Sequence, residues 1–182
     1  MDNRSKATFI FDIGRYVDFG DDLDTMALFK IGVLSKDPAI FKELGNLAYT
    51  RTEIQGKPVL VVVMRDESKI EYTNVLFVAS NDDFSLNKVI KAIDGKKTLL
   101  ITEGAKFGES MLNFVIADGQ PRFELNEPAL NEAGMTIPLT VLASAIKTRE
   151  DWEALYDVTN EELVKQLDLV EEQKRIIAEQ LA

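Results

Sequence analysis

The stretch Thr98–Gly134, TLLITEGAKFGESMLNFVIADGQPRFELNEPALNEAG, decides the fold of this 182-residue chain. Thr98–Thr102 is a short β-branched and aliphatic run, the composition of a buried strand. Met111–Ala117 and Pro121–Asn126 flank Asp118-Gly119, a pair suited to a tight hairpin turn because both residues tolerate positive φ. In the second arm Phe123 and Leu125 alternate with Arg122, Glu124 and Asn126, so one face is apolar and the other polar. Pro121 cannot donate a ladder hydrogen bond, which places this arm at a sheet edge. Asn126 then caps a helix with Pro128 in its first turn, and Gly134 closes it.

Working outward, residues 5–19 set Ala7, Ile10, Phe11, Ile13, Gly14 and Val17 on one face at helical spacing, and Phe19-Gly20-Asp21-Asp22 ends that helix. Leu28–Leu34 reads as a strand, and Ser35–Pro38 opens a helix that Gly45 is expected to stop. Gln55-Gly56-Lys57-Pro58 is a turn into Val59–Met64, a β-branched run that suits a strand covered on both faces; Val75–Ala79 is another of this kind. Ser85 caps a helix whose apolar positions are Leu86, Val89, Ile90 and Ile93. A further helix after Thr136 is expected to bury Leu139, Leu142, Ala143 and Ile146. Strands alternating with helices predict an α/β fold. The expected sheet is mixed, mostly parallel and flanked by helices, with an antiparallel hairpin at about 111–126.

From Arg149 the pattern changes. Tyr156, Asn160, Leu163, Leu167, Val170, Lys174, Ile177 and Leu181 alternate spacings of four and three, the seam of a left-handed coiled coil. The expected organisation is an α/β domain over 1–147 and an amphipathic helix over 148–182. The dimer seam is Leu163, Leu167, Val170, Lys174, Ile177 and Leu181. A solvated helix lying on its own domain is the other reading.

Composition removes several functions. The chain is 46% hydrophobic, enough for a core, and has neither cysteine nor histidine. Disulfides, thiol nucleophiles and Cys-ligated zinc are excluded, and the commonest general base and metal ligand is absent. Net charge is −10; residues 150–182 carry ten acidic and three basic side chains, a net of −7, leaving −3 for the body. Such a balance argues against a nucleic-acid partner. No apolar run approaches the ~20 residues of a membrane span. The first residues, MDNRSKATF, lack the apolar core of a signal peptide, so the chain is either cytosolic or exported with its leader removed.

Motif matches to catalysis fail on context. Asp18-Phe19-Gly20 copies the kinase magnesium triplet, but the His-Arg-Asp loop it needs is absent. Asp94-Gly95-Lys96-Lys97-Thr98 lacks the first glycine of a phosphate loop and precedes a strand. Asp21, Asp22 and Asp24 lack the alternating ligands and mid-loop glycine of a calcium loop, and Ser110 has no identifiable base. No metal or cofactor is expected. An enzyme working with paired carboxylates is a further alternative.

The ligand or partner contacts expected from sequence are Phe19, Glu103, Phe107, Asn113 and Arg122. Glu103 ends a strand at the edge where open α/β sheets place ligands, or else faces solvent. Asn113 is an amide inside an apolar strand, costly if unpaired, and either bonds a neighbouring loop's backbone or meets a ligand. Phe107 lies between two glycines in a short loop, either tucked beneath it or offered outward. Arg122 faces away from Phe123, to pair with Glu124 or Glu109 or to bind an anion.

Phe11-Asp-Ile-Gly-Arg-Tyr-Val-Asp-Phe19, Phe29-Lys-Ile-Gly-Val-Leu34, Gly56-Lys-Pro-Val59 and Asn74-Val-Leu-Phe-Val-Ala-Ser80 carry a resemblance. The strongest part is Phe107-Gly-Glu-Ser-Met-Leu-Asn-Phe114 followed by Asp118-Gly119 and Arg122-Phe-Glu-Leu-Asn126. In this order, over about 7–147, the chain resembles the YfiR/HmsC family. The resemblance implies an exported, non-enzymatic regulator in the periplasm, of a type that restrains a membrane diguanylate cyclase and so controls cyclic di-GMP; related domains precede sensor kinases. Its partners would be a second copy, a membrane cyclase or sensor kinase, and a candidate small-molecule ligand. The chain departs from the repressor type in lacking cysteines and in adding the C-terminal helix. The alternative is a ligand-free module that docks on a membrane receptor or sensor kinase.

Overall fold

A computed structural model describes residues 1–79, 84–117, 119–142 and 149–181. Helix α1 (Asn3–Tyr16) starts where Asp2 accepts a hydrogen bond from the Ser5 amide at 2.7 Å, satisfying one of the helix's orphan donors. Its buried face is Ala7, Ile10, Phe11, Ile13 and Gly14. The helix ends at Tyr16, and Val17–Phe19 continue in extended and bridged backbone.

After a short 3-10 turn come β1 (Phe29–Leu34), α2 (Pro38–Arg51), β2 (Glu53–Ile54), β3 (Lys57–Met64), β4 (Val75–Val78), α3 (Leu86–Ile93) and β5 (Leu99–Glu103). The body closes with β6 (Leu112–Ala117), β7 (Gln120–Leu125), α4 (Glu127–Glu132) and the single turn α5 (Leu139–Leu142). The strands form one mixed seven-stranded sheet in the order β2-β3-β1-β4-β5-β6-β7. The pairs β1–β3, β1–β4, β4–β5 and β5–β6 run parallel, and the terminal strands β2 and β7 are antiparallel to their neighbours. The hairpin lies at the β7 edge as expected, with Phe123 and Leu125 buried. Glu124, expected on the polar face, is buried too, because it accepts from Asn113. Asp118 of the hairpin turn lies outside the described residues.

Two cores sit on opposite faces of the sheet. Helices α1 and α2 pack together over one, where Phe9 meets Phe114 and Phe123 at ring distances of 5.0 Å. On the other face α3 lays Val89 and Ile93 against Leu34, Leu76 and Leu100. Strands β4 and β5 lie between these layers and are buried on both sides, apart from a partly exposed Glu103.

Two expectations are corrected. Helix α2 runs through Gly45 to Arg51. A helical glycine costs only about 1 kcal/mol, and contacts of Leu44, Leu47 and Ala48 with the core outweigh it. Strand β3 is not covered on both faces: apart from buried Met64 its residues are exposed or half-buried, with Leu60 42% and Val63 40% exposed. Its outer neighbour β2 is two residues long, so β3 lies effectively at an edge.

Helix α6 (Arg149–Leu181) follows. Every residue from 164 to 180 is exposed, so Leu167, Val170 and Ile177 find no cover within the chain. The side chains of Leu163 and Leu181 lie outside the described set, as do Ala143 and Ile146 of the preceding segment and the side chains of Leu139 and Leu142.

Candidate functional site

The connection from β5 to β6 shapes the site. These strands are parallel, with Ile101 beside Leu112 and Glu103 beside Phe114, yet only residues 104–111 separate them. Parallel crossovers ordinarily take about a dozen residues or more, usually as a helix. Here the chain returns as a compact loop held by side chains. Asn113 is its clamp. The Oδ1 atom accepts from Thr102 Oγ1 at 2.9 Å and from the Ala105 amide at 3.1 Å; Nδ2 donates to the Ala105 carbonyl at 2.9 Å and to Glu124 Oε1 at 2.6 Å. Ser110 and Thr102 share a hydroxyl hydrogen bond of 2.6 Å beneath the loop. At the far end Asn126 Nδ2 donates to the Gly108 carbonyl at 3.0 Å while its Oδ1 caps α4 through the Ala129 amide at 3.2 Å.

This loop delivers Gly108–Met111 to the edge of the sheet where the parallel strands begin. There it meets the segment ahead of β1, the residues ahead of β4 and β5, and helix α4 around a cavity of about 820 Å³. The floor is apolar: Met26, Ile90, Ile93, Leu100 and Met111. The rim is polar, with carboxylates from Asp22, Asp94, Glu109 and Glu132 against ammonium groups from Lys96 and Lys97. Tyr72 stands at one side; its hydroxyl is 3.7 Å from Met26 Sδ and accepts from Asn74 Nδ2 at 3.5 Å. Burial, with the nearby Asp22 charge second, raises the Tyr72 hydroxyl above its ordinary range. It therefore stays protonated at neutral pH, available as a donor. An apolar floor inside a charged rim suits a small amphiphilic molecule.

Lys97 links this cavity to the chain beyond α4. Its ammonium pairs with Asp22 at 3.2 Å. Its stem crosses two turns that only glycine fills comfortably, Gly20 at φ 69° and Gly134 at φ 82°. A Cβ at Gly134 would stand 3.1 Å from Lys97 Cε, and one at Gly20 would stand 2.9 Å from Lys97 Nζ. Beside these turns Asp18 and Thr136 form an antiparallel bridge, tying the end of α1 to the segment that leads into α5.

The residues singled out from sequence are dispersed, and none lines the cavity. Phe19 is 2% exposed and packs edge-on against Phe29 at 5.5 Å. Glu103 lies on the α1 face and pairs with Lys6. Asn113 spends its hydrogen-bonding groups on the crossover. Arg122 sits opposite Val115 with its Nε buried and without a hydrogen-bond partner. Phe107 is exposed at 46%. The 18–22 turn and the 103–109 loop reach the cavity only through Asp22, Gly108 and Glu109. Sequence reasoning missed Tyr72, Ile90, Lys96, Lys97 and Glu132. The adjacent glycine and lysines of Asp94-Gly95-Lys96-Lys97 were the one available signal. Among the described residues no group of three or more acidic side chains is arranged to hold a metal ion, and no helix is long and apolar enough to cross a membrane.

A mixed α/β sheet with a clamped crossover beside an open cavity defines an architecture, not a particular chemistry. The profile of the YfiR/HmsC-like family matches residues 3–145, from α1 through the segment after α5. The chain belongs to that family. No curated protein matches it significantly.

Proposed function

We propose that this chain is a non-enzymatic regulatory domain of the periplasm that restrains a membrane-anchored diguanylate cyclase. In this reading a small molecule in the cavity relieves the restraint, and α6 pairs with α6 of a second copy. Family membership supports the regulatory role. The observation that carries the sensing role is the cavity whose rim holds Lys97, with the Gly134 turn and the Asp18–Thr136 bridge directly behind it. A ligand competing for Lys97 or Asp22 would loosen the packing of the Lys97 stem on Gly134. That change would reach Thr136 and the start of α5 through the two backbone hydrogen bonds of the bridge.

The a/d spacing of α6, together with its uncovered Leu167, Val170 and Ile177, supports pairing with a second copy as a coiled coil. Phe107, an apolar ring on the outside of the crossover, is the surface element best placed to contact the membrane partner.

The direct test adds the purified chain to membranes carrying a co-expressed membrane-anchored diguanylate cyclase and measures cyclic di-GMP synthesis. Synthesis should fall as the chain is titrated in, and Phe107→Asp should weaken the effect. Unchanged synthesis at saturating chain would rule out the restraint. A thermal-shift screen tests the ligand separately, since a ligand at 100 times its Kd stabilises by about 2.7 kcal/mol.

A further inference from the structure

The outer edge of β3 is an unprotected strand edge. The Val59 amide donates outward, to the Thr52 carbonyl at 3.0 Å, whereas the Met64 carbonyl points inward and accepts from the Ser35 amide. Backbone groups alternate along a strand, so Val61 and Val63 also point outward; β2 covers the edge at Lys57 and Pro58, and Thr52 occupies the Val59 amide. Among the described residues, no backbone hydrogen bond from another element reaches the outward groups of Val61 or Val63. Natural sheets blunt such edges with charge, proline or a bulge. Here the open segment, Leu60–Met64, is LVVVM, without a charge, in a chain whose net charge is −10.

We infer that β3 is a second self-association surface, on which β3 of another copy adds antiparallel about a two-fold axis at Val62. Three observations select this occupant and register. The edge is self-complementary, since outward Val61 faces the partner's Val63 and outward Val63 faces the partner's Val61, each pair exchanging both backbone hydrogen bonds. A register shifted to pair Val61 with the partner's Val61 is blocked. It would put the partner's Met64 opposite Pro58, where Glu53 of β2 already lies. In the allowed register each strand ends on the other's β2, bringing the partner's Arg65 up to Glu53, and both side chains are exposed. The pairing also covers Leu60 and Val63, the exposed apolar side chains of this strand.

Because the chain has no cysteine, single substitutions report on this geometry without background. Val62→Cys places two thiols across a non-hydrogen-bonded antiparallel pair, with Cα atoms about 4.5 Å apart, within disulfide reach. Mild oxidation of the full-length variant should give a covalent dimer on a non-reducing gel. Leu60→Cys, which faces the partner's Met64, should stay largely reduced. Glu53→Arg should lower the Val62→Cys yield, and adding Arg65→Glu should restore it. A free thiol at Val62, or equal crosslinking at Leu60 and Val62, overturns the inference. The helix pairing is read separately through Val170→Cys, so a crosslink at 170 without one at 62 removes the strand interface alone.

Discussion

Asp18 and Thr136 exchange backbone hydrogen bonds of 2.9 and 3.1 Å across an isolated antiparallel bridge, although 118 positions separate them in sequence. The bridge holds the end of α1 against the exit from α4, and Lys97 lies along the two glycine turns beside it. The cavity rim and the segment feeding α5 therefore share one small cluster of backbone.

Gly134→Ala should destabilise the chain by about 1–2 kcal/mol from its positive φ alone. Crowding of the Lys97 stem adds to this. In a Lys97→Ala background the crowding is gone and only the φ penalty remains. A double-mutant cycle by urea denaturation should therefore show coupling between positions 97 and 134, and strict additivity would remove Lys97 from the cluster.

Asn113→Ala should be among the most damaging single substitutions in the body, costing about 3–5 kcal/mol. It strips the crossover of its clamp, leaves the Ala105 amide without its acceptor and takes one donor from the buried Glu124 carboxylate. Asn113→Asp keeps the acceptor bonds but sets a second carboxylate beside Glu124 and should also destabilise. Chemical denaturation of both variants checks the ranking against a surface control such as Tyr49→Ala, which is 86% exposed.

Ile90→Trp fills the cavity from a side chain that is 38% exposed. Any compound that raises Tm in the parent should lose its shift in this variant, while the unliganded Tm changes little. A preserved shift would place the ligand elsewhere.

On α6, Val170→Cys should form an interchain disulfide under oxidation, as expected of a d-type position in a parallel pair. Adding Leu167→Glu and Ile177→Glu should abolish it. Persistence of the disulfide in the charged variant would rule out the assigned seam.

Asp2 and Asp66 cap the first turn of α1 and of the 3-10 turn after β3. Backbone donation from Ser5 and Ser68 stabilises the charged carboxylates and lowers both groups below the ordinary carboxyl range. Depressed folded-state values mean stability that is complete above the unfolded carboxyl range and lost as pH falls through the lower folded values. The Tm gap between the parent and an Asp2→Asn, Asp66→Asn variant should thus be largest near neutrality and close in acid.

Several elements were legible in the chain because their causes are local. Ser85 and Asn126 announce helix starts through side-chain oxygens, and Pro121 marks an edge strand, although the alternation did not reveal that Glu124 is buried. Gly45 misled because a local penalty of about 1 kcal/mol is outweighed by burial that no short window reveals. Val59–Met64 misled for a related reason: β-branched composition suits a strand, but whether a neighbour covers it depends on strand order. The candidate site was legible only as a region. Residues near 103–113 do shape it, yet Asn113 turned inward as a clamp, because the unusually short crossover needed an internal hydrogen-bond network.

The sequence by itself determined the element types, the absence of thiol and imidazole chemistry, the acidic C-terminal helix and the resemblance to the YfiR/HmsC family. These follow from side-chain composition and from interactions within a few residues. Tertiary structure alone decided the cavity, because its rim joins Asp22, Tyr72, Lys97, Glu109 and Glu132 from five separated segments. It also decided that β3 has an open edge, since strand order is set by which surfaces can be buried together and not by any strand's own residues.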